Sequence, residues 1–412
     1  MRPQSSAIDP SISRIEFAAA TAPAFARVAI HRDANAVVLA AWADLETSAP
    51  CSIYQTRAWL LPWITTLGRK AAIVPVFVLA FDRDDRPAAL LCLGLHRRGA
   101  VRVATFLGGK DSNFNLALVR ADQNWAPADL RSLLSRAARE FGSDSPDAFL
   151  LVNQPHDWNG VPNPFAALPH QPSPSAAFGT MLTGQADAFF ATKLTTDRRR
   201  RYRKKGSRLA ELGPLTHIVA TTADDRRTIL DCFFAQRLER FRAQNIASGF
   251  DDPQMRLFIE NASIEGPQGT GIELHALKAG ERIVAVIGGA AHAGHWSGMF
   301  ISFDADGVVA RNSPGDLLLM KIIAAQCAAG MRAFDLGIGE ARYKMTFCDE
   351  AIPLFDTFVP VTVKGWLFLK LIAASLCAKR MVKQNQRLFA LAKRLRALPT
   401  AASLTPPPSR ND

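Results

Sequence analysis

Hydrophobic and polar positions in the second half of the chain follow a regular succession of helical and strand-like spacings. Apolar residues three and four apart predict amphipathic helices, whereas short apolar runs with two-residue alternation predict strands. From residue 187 to residue 363 the pattern predicts a helix followed by the order β-α-α-β-β-β-α-β-α-β. Hairpin-sized gaps at 280–281 and 293–294 separate the three central strands, which indicates that these strands are antiparallel neighbours.

The first half contains a fainter copy of the same pattern. It predicts two helices, three strands, a further helix and a final strand, at 33–46, 56–67, within 71–109, at 127–141 and at 147–152. This copy has no glycine-rich turn before its last helix. We therefore interpret the chain as an internal duplication with a degenerate first copy.

A proline-rich segment separates the two copies. Residues 153–179 contain six prolines, which block helix continuation and predict a loop or linker, although a long surface loop inside one domain is the alternative. The predicted organisation is a tail (1–24), a degenerate domain (25–152), a linker (153–184), a second domain (185–363) and a basic C-terminal extension (364–412).

The positive charge is concentrated in two segments. The chain has a formal net charge of +12, but residues 198–208 hold eight Arg and Lys and no acid, and residues 364–398 hold nine and no acid. The rest of the chain is net acidic, so the overall charge says little about partners. No recognition-helix motif is present, and a DNA-binding protein is the least favoured class.

The remaining composition is that of a globular protein, with 48% hydrophobic and 21% charged residues. The six cysteines have no metal-ligand or disulfide spacing, which favours free thiols and predicts no metal site. Neither a signal peptide nor an apolar stretch of membrane-spanning length is evident, so we expect a cytoplasmic protein.

A Ser-Pro-Gly turn at 313–315 stands directly before a helix-spaced apolar run. The first backbone N–H groups of a helix lack intrahelical partners and lie at the positive end of its dipole, which favours phosphate. An ordinary capped turn is the alternative interpretation.

The turn belongs to a longer motif. The motif begins with S-P-G at 313–315. After a spacer of about 20 residues it continues with F-D-L-G-x-G at 334–339 and ends with Y-K-x-x-F at 343–347. With the element order, the motif resembles the Gcn5-related N-acetyltransferase (GNAT) fold. Residues 310–354 resemble the CelD-type acetyltransferases associated with cellulose and exopolysaccharide biosynthesis, relatives of the Fem-type aminoacyl transferases. The resemblance implies an α/β (α+β) chain of two tandem acetyltransferase-like domains, each a mixed central sheet flanked by helices.

The resemblance also implies acetyl-CoA or another acyl-CoA as co-substrate, without a metal. Its pantetheine arm would lie along Phe300, Ile301, Ser302 and Phe303. Its pyrophosphate would lie at Arg311, Asn312, Ser313, Gly315 and Asp316. The usual Gln/Arg-x-x-Gly-x-Gly/Ala fingerprint is imperfect, since Asp316 stands where a phosphate should approach, and Fem-type enzymes use aminoacyl-tRNA instead.

Acyl transfer requires a base, an oxyanion donor and protonation of the leaving thiolate. Candidate bases are Glu273 and His275, which share one face of a strand, together with Asp335. Strand-end histidines 292 and 295 are further candidates, although such histidines are often exposed and idle. By resemblance, Tyr343 protonates the thiolate and Lys344 stabilises charge; a helix-surface pair is the alternative.

The cationic run predicts a binding surface for a phosphorylated substrate. On a continuous helix over 187–212, Arg198, Arg201 and Lys205 share an arc with apolar residues, whereas Arg199, Arg200 and Arg203 point away. Cations on an apolar stripe require acids, solvent or a phosphorylated ligand. A solvated basic helix is the alternative.

The C-terminal extension combines cations with leucines spaced three and four apart at 388, 391, 395 and 398. This pattern predicts docking either on an acidic membrane surface or on the body of the protein. The leading functional hypothesis is an acyltransferase acting on an amine or hydroxyl of a sugar or other envelope or exopolysaccharide precursor. A Fem-type aminoacyl or peptidyl transferase using charged tRNA and a non-catalytic scaffold are the alternatives.

Overall fold

A computed structural model describes residues 24–243, 252–264 and 271–385. The predicted tail before Ala24 and the leucines at 388, 391, 395 and 398 lie outside the described residues. The predicted fold class is confirmed, because the chain forms two mixed sheets flanked by helices.

The first sheet has the strand order β1-β2-β3-β4-β6-β17-β9, with β5 paired to β3. Its strands are β1 (Arg27–His31), β2 (Val74–Phe81), β3 (Pro87–Arg98), β4 (Val101–Phe106), β5 (Leu118–Val119), β6 (Ala148–Pro155), β9 (His170–Pro172) and β17 (Leu354–Pro360). Helices α1 (Ala36–Ser48), α2 (Arg57–Trp63) and α3 (Pro127–Glu140) accompany it, and β7 (Asp157–Trp158) and β8 (Val161–Pro162) form a small ribbon.

The second sheet has the order β11-β12-β13-β14-β15-β10-β16. Its strands are β10 (Ala177–Met181), β11 (Leu215–Val219), β12 (Glu273–Ala279), β13 (Arg282–His292), β14 (His295–Phe303), β15 (Ala333–Ile338) and β16 (Glu350–Ile352). The remaining helices are α4 (Ala186–Lys193), α5 (Thr196–Ala210), α6 (Ala223–Ala243), α7 (Pro253–Ala262), α8 (Gly307–Arg311), α9 (Pro314–Ala328), α10 (Lys344–Phe347) and α11 (Val363–Gln384).

Strands β14 and β15 are parallel but pair only from His295 to Ser297 on the β14 side. Beyond these residues the two strands diverge. A backbone bulge accompanies the divergence, because Gly288 pairs with Phe300 while Gly289 pairs with Gly298, leaving Met299 as the extra residue. The sheet is therefore open at its centre, beside the start of α9.

Two expectations about the chain path are wrong. The strand expected to end the second half, β17, pairs instead with β6 and β9 of the first sheet. The proline-rich segment contains β7 to β10 and so is not a simple loop. Strands β7 to β9 are only two or three residues long, too short for an alternation to show, and β10 follows a run of prolines that favours the prediction of a loop.

The continuous helix expected over 187–212 is also wrong, since it divides into α4 and α5 at Leu194 and Thr195. The Thr195 side chain accepts a hydrogen bond from the N–H of Arg198 and so caps α5. The start of α5 depends on this polar cap and not on apolar residues. The spacing of hydrophobic residues therefore could not reveal it.

One apolar core joins the two halves. It combines buried side chains of α1 and α2, such as Trp42 and Trp59, with Phe233 of α6 and Phe258 of α7. The rings of Trp59 and Phe258 meet edge to face at 4.9 Å. Burial of aromatic side chains of this size makes the two sheets one packed unit.

No helix in the described parts of the chain is long and apolar enough to cross a membrane.

Candidate active site

The divergence of β14 and β15 leaves a cavity of about 230 Å³, which we name the notch. Its lining includes Gly298 to Ile301 of β14, Leu336 and Ile338 of β15, and the side chains of Asn113, Arg237, Tyr343 and Lys344. Asn113 comes from the first half of the chain. Both halves therefore contribute to the notch.

Lys344 is almost fully buried at one side of the notch. Its Nζ donates hydrogen bonds to the backbone oxygens of Gly337 at 3.1 Å and Ile338 at 2.9 Å. Burial lowers the pKa of this ammonium, while the nearby Asp335 opposes the shift. An ammonium has three N–H donors, so one remains after these two bonds.

Asp335 is completely buried and lies on the face of the sheet that points toward the first half. Its Oδ2 accepts a hydrogen bond from Ser297 Oγ at 2.5 Å and lies 2.9 Å from His295 Nε2. Its Oδ1 accepts from the N–H of Gly337 at 2.8 Å. The His295 ring stacks on Trp158 at 4.6 Å. These contacts fix the end of β15, where the backbone oxygens of Gly337 and Ile338 accept the hydrogen bonds from Lys344.

Glu273 and His275 lie on the opposite face, because β14 residues alternate between the faces and Glu273 Oε2 accepts from Trp296 Nε1 at 2.9 Å. The Trp296 ring covers Gly289, where an added Cβ would lie 2.2 Å from the indole. The indole also covers Gly298, where a Cβ would lie 3.1 Å from it. Trp296 therefore separates Glu273 from the notch.

A row of polar side chains leads from Glu273 toward the edge of the sheet. His275 Nε2 lies 3.1 Å from Glu273 Oε2, and its Nδ1 lies 3.1 Å from His217 Nε2. Burial and the neighbouring His275 lower the pKa of His217 to about 4, and His275 with Trp296 holds the pKa of Glu273 below its usual value. The five predicted catalytic residues thus do not form one cluster: Glu273 and His275 are apart from Asp335, Tyr343 and Lys344.

A second cavity, of about 340 Å³, lies at the start of α9; we name it the cation cavity. It is lined by Arg198, Arg201 and Lys205 of α5, by Ser313 and Asp316, and by Arg342, Tyr343 and Thr346. The three cations predicted to share a surface do so. Tyr343 lines both this cavity and the notch, so the two spaces adjoin.

The turn before α9 faces the cation cavity. Ser313 has a positive φ of 51°, which non-glycine residues adopt rarely, and its Oγ accepts a hydrogen bond from Lys205 Nζ at 2.6 Å. Pro314 at the first helical position has no N–H, so the outermost donors of α9 belong to Gly315 and Asp316.

Asp316 is the acid that lines the cation cavity. It accepts a hydrogen bond from Tyr202 Oη at 3.0 Å. Burial raises its pKa, which Tyr202, Lys205 and Arg342 only partly offset. Burial and the Asp316 carboxylate in turn raise the pKa of Tyr202, and burial raises the pKa of Tyr343.

The residues predicted for the pantetheine arm differ in orientation. Phe300 packs on Phe233 at 4.6 Å, and Ser302 Oγ donates to Gln236 at 2.7 Å, so both side chains face α6. Ile301 and Phe303 face the opposite side, and Ile301 Cδ1 lies 3.1 Å from a Cβ built on Gly315. The backbone oxygen of Ile301 accepts from Arg237 at 3.3 Å.

Two other predicted phosphate ligands do not line the cation cavity. Arg311 is exposed at the end of α8. Asn312 is buried and donates to the backbone oxygen of Val308 at 2.9 Å. The short helix α8, which the sequence pattern did not predict, is the reason for this placement.

Arg199 and Arg203 also differ from expectation. With Tyr202 they line a separate groove between α5 and α9, whereas Arg200 is exposed. Asn113, Arg237 and Arg342 also line the site and were not among the predicted site residues. Arg342 directly precedes the Y-K-x-x-F motif, so that motif could have indicated it. No local pattern in the sequence marks Asn113 or Arg237.

Among the described residues, no group of three His, Cys, Asp or Glu side chains is placed to hold a metal ion.

Part of the chain is similar to a known protein family. Residues 196–345 match the family described as "Acetyltransferase (GNAT) domain". No curated protein sequence matches the chain.

Solved structures resemble much of the chain. The crystal structure of FemX is 10% identical, with a TM-score of 0.55, over 81% of this chain and 98% of that chain. A tandem GNAT protein from the clavulanic acid biosynthesis pathway is 10% identical, with a TM-score of 0.45, over 81% and 98% of the two chains. Saccharomyces cerevisiae N-myristoyltransferase, solved with bound myristoyl-CoA, is 11% identical over 80% and 82%, with a TM-score of 0.43. Residues 196–345 are therefore similar to a GNAT-type acetyltransferase domain, and the chain has a two-sheet fold similar to that of FemX.

Proposed function

We propose that the protein is an acyltransferase that moves an acyl group from acyl-CoA to an amine or hydroxyl of a sugar or other envelope or exopolysaccharide precursor. The observation that carries this proposal is the junction of the notch and the cation cavity at Tyr343. A donor with a phosphorylated end and an acyl end requires two such adjoining spaces. The GNAT-type domain over 196–345 supports the same class of donor.

The cation cavity suits the phosphorylated end of the donor. Arg198, Arg201, Lys205 and Arg342 bring four positive charges against the single carboxylate of Asp316. The outermost N–H groups of α9 add the positive end of a helix dipole. The excess of positive charge therefore outweighs the negative charge of Asp316, the residue that departs from the usual fingerprint.

The notch suits the thioester end. Beyond Ser297 strand β14 still pairs with β13, but its other edge, which faces β15, has no strand partner in the described sheet, so backbone groups on that edge can bond an extended arm. Acyl transfer forms a bond between the acceptor N or O and the carbonyl carbon, breaks the C–S bond, and moves one proton from acceptor to thiolate. We propose that the remaining N–H of Lys344 stabilises the oxyanion.

Tyr343 acts on the leaving group by hydrogen bonding. A free thiol has a pKa of about 8.5, and burial raises the pKa of Tyr343 above that of an ordinary tyrosine. Proton transfer from this phenol to a thiolate is therefore uphill. We therefore propose that Tyr343 first donates a hydrogen bond to the charge that develops on the leaving sulfur.

The Fem-type alternative, an aminoacyl or peptidyl transferase using charged tRNA, rests on a different observation. The fold likeness spans 98% of FemX. Exposed cations on α5, such as Arg200, Lys204 and Arg208, would then bind tRNA phosphates.

A thermal-shift panel with acetyl-CoA, longer acyl-CoAs and tRNA tests the proposal, because a ligand that binds the native state raises its Tm. We expect acyl-CoA to raise Tm and free thiol to appear when an acceptor amine or hydroxyl is added. A shift with tRNA alone would favour the Fem-type alternative. A shift with neither ligand would favour a non-catalytic scaffold.

We further propose a peripheral contact with an acidic membrane surface through α11. This helix exposes Trp366, Leu367 and Leu371 beside Lys364 and Lys370. Apolar side chains flanked by cations suit the headgroup region of anionic lipid. Cosedimentation with anionic but not neutral vesicles, lost in Trp366→Ser/Leu371→Ser, is the expected result.

A further inference from the structure

A groove of about 440 Å³ lies between α5 and α9, on the other side of α5 from the cation cavity. Residues 199, 202, 203 and 206 of α5 form one side, at the three- and four-residue spacing of a single helix face. Residues 317, 320 and 321 of α9 form the other side, and Phe190 of α4 and Leu215 of β11 close the ends. Its size is that of a small-molecule site.

The groove combines cations with an apolar surface. Arg199, Arg203 and Lys321 line it, and none of the three forms an ion pair in the described chain. Arg199 donates from Nη2 to Thr196 at 3.4 Å, but its buried Nε has no hydrogen-bond partner among the described residues. Buried unpaired N–H groups cost free energy unless a ligand or water accepts their hydrogen bonds.

Gly206 keeps the groove open. A Cβ built on this residue would meet no atom within 4 Å, so packing does not require a glycine here. Glycine inside a helix is unfavourable relative to alanine. An unfavourable residue with open space before it is consistent with a position that leaves room for a ligand.

We propose that this groove binds an anionic amphiphile. Its phosphate or carboxylate head would pair with Arg199, Arg203 and Lys321, and its apolar chain would lie on Phe190, Leu317 and Met320. One carboxylate, Asp187, also lines the groove, so cations outnumber acids three to one. The inference is independent of the proposed acyl transfer, because it concerns residues outside both the notch and the cation cavity, apart from the shared Tyr202.

Isothermal titration of the full chain with octyl phosphate and with octanoate tests the groove and separates the two heads. We expect at least one of them to bind, and the double variant Arg199→Gln/Arg203→Gln to weaken that binding by about tenfold or more. Gly206→Leu should block it by filling the groove. The matched controls are Arg200→Gln/Arg208→Gln, which removes two exposed cations of the same helix, and Gly206→Ala; both should bind as the unmodified protein does.

Comparison ligands give the contrary outcomes. Equal binding of inorganic phosphate would reduce the groove to a simple anion site, and equal binding of octyl glucoside would remove the role of charge. Equal loss in the two arginine pairs would mean non-specific attraction. Competition by free coenzyme A would assign the groove to the acyl donor. Any of these results overturns the proposal, and none requires the protein to be an active enzyme.

Discussion

The side chain of Asn113 accepts a hydrogen bond from the backbone N–H of Ile338 at 3.1 Å, across 225 positions of sequence. Its amide nitrogen donates to Tyr54 Oη at 2.6 Å. Ile338 also supplies a backbone oxygen to Lys344. The first half of the chain thus holds the strand end on which the candidate oxyanion donor rests.

Asn113→Ala should therefore lower kcat more than it raises KM for the donor. It leaves the N–H of Ile338 without its partner, at a cost of about 1–3 kcal/mol in the free energy of unfolding, and loosens the position of Lys344. Steady-state kinetics with urea unfolding measure both effects. Tyr54→Phe, which removes only the partner of the amide nitrogen, is the control and should have the smaller effect on kcat; equal effects would contradict the role of Ile338.

Lys344→Met should reduce kcat/KM by about 100-fold or more, as expected for losing one positioned electrostatic donor. Met345→Ala is the control, since Met345 is the exposed neighbour on the same helix. Kinetics of both variants with acyl-CoA and a chromogenic thiol reagent provide the measurement. A rate within about threefold of the unmodified protein would make Lys344 a structural residue.

The triple variant Arg198→Gln/Arg201→Gln/Lys205→Gln should raise the KM for the donor by about tenfold or more. These three cations line the cation cavity, whereas the exposed Arg200, Lys204 and Arg208 of the same helix do not. The corresponding exposed triple variant is the matched control and should change KM little. Equal effects with a steep salt dependence would instead indicate a non-specific polyanion surface.

Gly315→Val should weaken donor binding, because a side chain here must displace Ile301 and so shift the first turn of α9, whose N–H groups we propose bind phosphate. Even the first added carbon lies 3.1 Å from Ile301 Cδ1, so this side chain must shift slightly. Gly307→Ala at the start of α8, where a Cβ meets no atom within 4 Å, is the control. Titration calorimetry with coenzyme A and a melting curve separate binding from stability; unchanged affinity would mean that the turn binds no phosphate.

Donor binding should tighten as the pH is lowered from neutrality toward the pKa of Asp316, which burial raises above its usual value. Protonation of this carboxyl removes the negative charge that faces the phosphates, so binding is coupled to proton uptake. Asp316→Asn should bind more tightly at pH 7 and lose this part of the pH dependence. Calorimetry of both proteins over this range distinguishes Asp316 from titration of the donor itself; parallel pH profiles would contradict the prediction.

Hydrophobic spacing predicted the long elements because each buries one regular face. Strands β2, β3 and β12 to β14, and helices α3, α6 and α9, lie within about two residues of the predicted positions. The spacing could not reveal β1, α8 or the break at Thr195, which depend on capping and edge pairing. It also could not place Asn113 near Lys344, since contacts between distant segments leave no periodic signal.

The candidate chemistry divides in the same way. The S-P-G and Y-K-x-x-F motifs are local, and Ser313 and Tyr343 do line one cavity. Whether Glu273 could reach the notch depended on the Trp296 ring, which lies over Gly289 and Gly298 of the same hairpin. The helical spacing correctly grouped Arg198, Arg201 and Lys205 on one face of α5. It could not predict that α9 packs beside Arg199 and Arg203, so that these two residues line a second groove.

The return of β17 to the first sheet makes the second sheet an insertion with paired ends. Phe355 pairs with Pro172, and the N–H of Ser173 donates to the backbone oxygen of Leu354 at 2.8 Å. The chain thus leaves and re-enters the first sheet at the same point. Residues 173–353 therefore enter and leave between β9 and β17 as one continuous insertion, whereas domain boundaries at residues 184 and 363 would each separate a strand from its own sheet.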